Sequence, residues 1–142
     1  MPADAAFCEV CGAAVATPVD SELGDRAHFT QNAASWVAGV CDRGLVRERN
    51  EDAMALAAAE PAGSHAALVV CDGVTSAPDS DIASLAAARA ALAILAAPFS
   101  RGLGGADSAV VAAERTWERA VHEAQAAVVR ESERSGVRAG AC

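Results

Sequence analysis

The sequence predicts an α+β fold, an antiparallel β-sheet with α-helices packed against it. Two observations carry that expectation. Short apolar runs of strand length follow one another with no helix between them, which argues against parallel βαβ units, and two long helical stretches come after them. Composition agrees: 38 of the 142 residues are alanine, which favours helix through its low entropic cost and contributes little burial per residue.

In chain order, residues 1–34 open with Cys8-Glu9-Val10-Cys11-Gly12 and continue as a polar stretch without a period. This reads as a small knuckle and a linker, with a second region over 35–142. Trp36-Val37-Ala38-Gly39-Val40 reads as a strand that ends in a charged segment, residues 42–52. The run Ala53 to Ala59 is alanine-rich, but its length and the Pro61-Ala62-Gly63 turn behind it select a strand. His65 to Cys71 is apolar and rich in β-branched residues without alternation, the pattern of a strand buried on both faces, and it runs into Asp72-Gly73.

Asp79-Ser80-Asp81 offers N-cap oxygens for a helix, and Ile82, Leu85, Ala86, Arg89, Leu92 and Leu95 follow at helical spacing as far as Pro98. A glycine-rich break at 102–105 precedes a second helix, capped by Asp107 or Ser108 and ended by Gly136. Its apolar line is Val110, Ala113, Trp117, Val121, Ala124 and Val128, which places Trp117 in the core.

The net charge is −8, with 11 arginines, no lysine and 19 acidic residues, which argues against a nucleic-acid partner. No run of eighteen uncharged apolar residues exists to span a membrane, and the first residues carry no secretory pattern. Five cysteines, an odd number, fit a reduced cytoplasmic location better than a disulfide framework. His28, His65 and His122 show no ligand spacing and read as exposed or structural.

The chemistry concentrates in two acidic sites, Arg47…Glu51-Asp52 and Asp72-Gly73. Carboxylates at buried strand ends are costly unless paired or bound to metal, and Mg²⁺ and Mn²⁺ choose oxygen ligands. If the strands after Asp52 and before Asp72 are neighbours, these carboxylates meet at one end of the sheet, and a bound dication there, next to an arginine, would make a phosphate site.

At these residues the sequence resembles the metal-dependent serine/threonine protein phosphatases of type 2C. Gly44-Leu45-Val46-Arg47-Glu48-Arg49-Asn50-Glu51-Asp52 is similar to their first signature, and Leu68-Val69-Val70-Cys71-Asp72-Gly73 to their second, at the family's spacing. The resemblance covers residues 36–142 and implies part of an αββα sandwich with two Mn²⁺ or Mg²⁺ ions in a complete site, acting on phosphoserine or phosphothreonine in protein substrates. It further implies that Asp72 bridges the metals, that the Gly73 carbonyl binds one of them, and that Arg47 clamps the phosphate. Glu51 would bind metal through water, and Asp52 would support the cluster. The sequence departs from the family after Asp72-Gly73, where Val74-Thr75-Ser76-Ala77-Pro78 replaces a glycine-rich turn, and the family's later Asp-Gly and Asp-Asn signatures have no counterpart. The chain is therefore expected to be an N-terminal portion of such a phosphatase, with low turnover of its own. Cys8 and Cys11 read either as half of a Zn²⁺-binding knuckle or as free thiols. The alternative function is a non-catalytic interaction or regulatory module built from the same half-fold and knuckle.

Overall fold

Alternation decides the first element. In β1 (His28–Ala34) Phe29, Gln31 and Ala33 are half-buried while His28, Thr30 and Asn32 are exposed, the period of two expected of a strand with one covered face. It lies inside the stretch read from the sequence as linker, where its polar residues conceal the pattern. β1 pairs antiparallel with β2 (Val37–Asp42), from His28 opposite Asp42 to Ala34 opposite Val37, with an irregularity between Asn32 and Ala34. A second antiparallel hairpin joins β3 (Ala53–Ala59) to β4 (His65–Cys71), with Ala53 opposite Cys71 and Ala59 opposite His65. Two helices follow, α1 (Ser80–Leu95) and α2 (Ala106–Ser135). The computed structural model describes residues 26–97 and 106–136; Cys8, Cys11, Cys142 and the glycine-rich break lie outside them.

The layers stack as the β1–β2 hairpin, the β3–β4 hairpin, α1 and α2. This is an α+β arrangement with antiparallel pairing. Strand β3 is central, buried on both sides, with Ala53 and Ala55 toward α1 and Met54 and Leu56 toward Val37 of β2. A side chain at Gly39 would overlap Met54 and press on Leu56 Cδ1, so glycine lets β2 approach β3 closely. Gln31 pairs through its amide with the backbone of Leu56, accepting from its N–H at 3.1 Å and donating to its carbonyl at 3.3 Å. Trp36 Nε1 donates to the Ala59 carbonyl at 3.3 Å.

Two sequence expectations, for β4 and for Trp117, are corrected here. Strand β4 is covered on one face only: Leu68 is 59% and Val70 75% exposed, because the first hairpin packs over β3 and not over β4. The buried face of α1 consists of Ser80, Ala83, Ser84, Ala87, Ala88, Ala91 and Leu95, mostly small side chains that let the helix lie close to the sheet and to α2; Leu85 and Leu92 pack against its edges, while Ile82 and Arg89 are exposed. On α2 the buried residues are Ala120, Ala127 and Val128, whereas Trp117 is 55% exposed; α2 too turns its small residues inward. Gly136 follows α2 with φ +67, as expected of a helix end.

Candidate active site

The charged segment between β2 and β3 is built by local bonds. Asp42 accepts from the Gly44 N–H at 2.6 Å, Gly44 adopts φ +74, and Arg43 Nη1 donates to the Glu48 carbonyl at 2.9 Å. The Asp42 carboxylate also pairs with His28 Nδ1 at 2.6 Å, and the hydrogen bonds from His28 and from the Gly44 backbone hold it below the usual carboxylate range. The base of the segment is closed by Asn50, which is only 4% exposed. Its Nδ2 donates to the Arg26 carbonyl at 2.8 Å and to Cys41 Sγ at 3.2 Å, and its Oδ1 accepts from the Asp52 N–H at 3.2 Å. Arg26 returns the contact, donating to the Asp52 carbonyl at 2.7 Å and to the Asp81 carbonyl.

Glu51 is held from α1. Ser84, fully buried, donates to the Glu51 carbonyl at 2.5 Å, and Ser80, also fully buried, donates to its Oε1 at 3.0 Å. Arg49 lies 3.5 Å from both the Glu51 and the Asp81 carboxylates. Desolvation pushes the Glu51 carboxyl up, but hydrogen bonds from Thr75, Ser80 and Arg49 outweigh it and leave the group below its ordinary value. Ser80 thus serves Glu51 and not the helix end; Asp79, the N-cap residue, sits at φ 56 and makes no side-chain cap bond. Gly73 is buried against the same corner, where a Cβ would overlap the Glu51 carbonyl.

β3 and β4 do pair, with Ala53 opposite Cys71, which puts Asp52 and Asp72 at the same end of the hairpin. A cleft of about 160 Å³ opens there, and its lining includes Arg43, Arg47, Arg49, Glu51, Asp52, Asp72, Gly73 and Thr75. Arg47, Asp52 and Asp72 are exposed to it. A guanidinium fork and carboxylates lining one cleft suit an anionic group that is itself bridged to the carboxylates by a cation.

A family model for protein phosphatase 2C matches residues 46–138. The chain belongs to the protein phosphatase 2C family. No curated protein and no solved structure matches it. Members of the protein phosphatase 2C family use Mn²⁺ or Mg²⁺ in general, and the oxygen donors of Asp52, Asp72 and Gly73 are of the kind such ions take. Yet among the described residues no three His, Cys, Asp or Glu side chains gather closely enough to hold one ion, and Glu51 is turned toward Ser80, Thr75 and Arg49. The donor set is therefore short of a full cation site. Among the described residues no helix is long and apolar enough to cross a membrane.

Asn50, Arg49, Ser80 and Thr75 stand in stretches that the sequence singles out, but their contacts at the site were not foreseen, nor were those of Ser84 and Arg26. Ser80 and Ser84 carry a readable signal, two small polar residues one helical turn apart on an alanine face.

Proposed function

We propose that this chain carries the phosphate-binding arm and the leading carboxylate of a metal-dependent protein phosphatase acting on phosphoserine and phosphothreonine. The supporting observation is the convergence of Arg47 with Asp72 and Gly73 in one cleft, within a stretch matched by the phosphatase 2C family. Arg47 makes no hydrogen bond or ion pair among the described residues, so its fork is available to two phosphate oxygens. Asp72 and the Gly73 carbonyl are assigned to Mn²⁺ or Mg²⁺, with Glu51 and Asp52 supporting them. Such an ion, when bound, offsets phosphate charge and lowers the pKa of its water. With fewer than three His, Cys, Asp or Glu side chains gathered there among the described residues, metal affinity and turnover of this chain are expected to be low.

The test is Mn²⁺-dependent hydrolysis of a small aryl phosphate by the purified chain. Weak activity abolished by Asp72→Asn supports the reading, and activity indifferent to that change overturns it. The incomplete gathering of ligands favours a second reading, a non-catalytic module that binds phosphorylated proteins or other partners. Metal content per chain separates the two: Zn²⁺ on Cys8 and Cys11 with no Mn²⁺ near Asp72 selects the module.

A further inference from the structure

We infer that Asn50 is the positioning residue of the site: it sets where Arg47 stands relative to Asp72. The inference rests on the reading of Arg47 as the phosphate-binding group. The segment from Arg43 to Asp52 leaves β2 and returns to β3, and its tip at Leu45, Val46 and Arg47 is exposed. One buried amide clamps its base. Through Nδ2 and Oδ1, Asn50 joins three strand ends at once: the approach to β1 at Arg26, the end of β2 at Cys41 and the entry to β3 at Asp52. The chemistry requires an amide, since the Arg26 carbonyl and the Cys41 sulfur need a donor and the Asp52 N–H needs an acceptor. A carboxylate of the same shape would supply the acceptor and lose both donated bonds.

The neighbouring contacts do not bridge the three strand ends. Arg43 bonds to the Glu48 carbonyl within the segment and, through its backbone N–H, to Ala27, while Arg49 pairs with Glu51 and Asp81. Loosening Asn50 therefore moves the arm that carries Arg47 and spares the Glu51 corner, which is fixed from α1. Small displacements of a binding group cost large factors in rate or affinity.

The experiment compares the full chain with its Asn50→Asp and Arg47→Ala variants. KM for an aryl phosphate, the inhibition constant of inorganic phosphate and the rate of tryptic cleavage after Arg47 are measured. The chain has no lysine, so trypsin reads arginines alone, and Arg115 and Arg119 within α2 serve as internal references. Asn50→Asp is expected to raise KM and the phosphate inhibition constant about tenfold, the lower end of what supporting residues around such sites cost, with kcat changed less. Cleavage after Arg47 accelerates while cleavage in α2 does not. Equal losses in every readout that track the folded fraction, with the Arg47 cleavage ratio unchanged, overturn the inference and leave Asn50 a structural residue. If Asn50→Asp does not fold, Asn50→Ser, which removes the bridge without adding charge, is read by the same criteria. Phosphate binding that survives Arg47→Ala overturns the underlying site assignment instead, whatever Asn50 does.

Discussion

Glu51 and Arg47 share one short segment yet are held in opposite ways. Glu51 is bonded through both its backbone and its carboxylate by two fully buried serines of α1, and Gly73 presses against its carbonyl. Arg47 stands exposed on an arm fastened at its base by Asn50. The contrast shows how a small fold divides the work: Glu51 is tied to the buried face of α1, whereas Arg47 stands on an exposed arm. Substitutions around Glu51 should act through stability, and those at Arg47 through ligand affinity.

The largest effect that would break this division is at Arg47. Arg47→Ala is expected to lower kcat/KM for an aryl phosphate about 100-fold while shifting the urea unfolding free energy by less than about 0.5 kcal/mol; a stability loss above that would make the arm part of the core. Next comes Gly73→Ala, whose new methyl meets the Glu51 carbonyl. Overpacking of this kind costs about 1–3 kcal/mol, read in the same urea titration. Ser84→Ala removes the donor to that carbonyl and is expected to cost about 1–2 kcal/mol by leaving a part-buried acceptor unpaired.

The smallest effect sharpens the electrostatics. The Glu51 carboxyl lies below its ordinary value in the folded chain, so its ionised form stabilises the fold above the ordinary glutamate value of about 4.3. That contribution is lost as pH falls through the folded value. Ser80→Ala removes one bond that holds it down. The stability gap between wild type and Ser80→Ala should therefore be full at pH 7 and narrower at pH 3, measured by urea midpoints; an unchanged gap would mean that Ser80 does not favour the charged form.

Much of the site was legible because its two halves sit at strand ends. The apolar run to Cys71 and the run beginning at Ala53 fix β3 and β4, and their pairing brings Asp72 to Glu51 and Asp52. The rest was hidden by alanine. When most candidates for a core face are methyl groups, a large residue stands out in the pattern without being the one that is buried, and Trp117 faces outward. Strand β1 was obscured because its half-buried position at Gln31 is polar, filled by a side chain that acts on another strand's backbone. Asn50 carries no periodic signal at all; its role arises from the meeting of Arg26, Cys41 and Asp52, which are far apart in sequence. The knuckle at Cys8 and Cys11 lies outside the described residues.

The amide of Gln31 has one more consequence. By occupying the backbone N–H and carbonyl of Leu56, it plugs the β3 border of the second hairpin in mid-strand, where an incoming chain would otherwise dock. Open strand borders invite unwanted pairing between molecules. At Leu56 that border is satisfied by a side chain of the same molecule, and a strand approaching β3 there would have to displace the Gln31 amide.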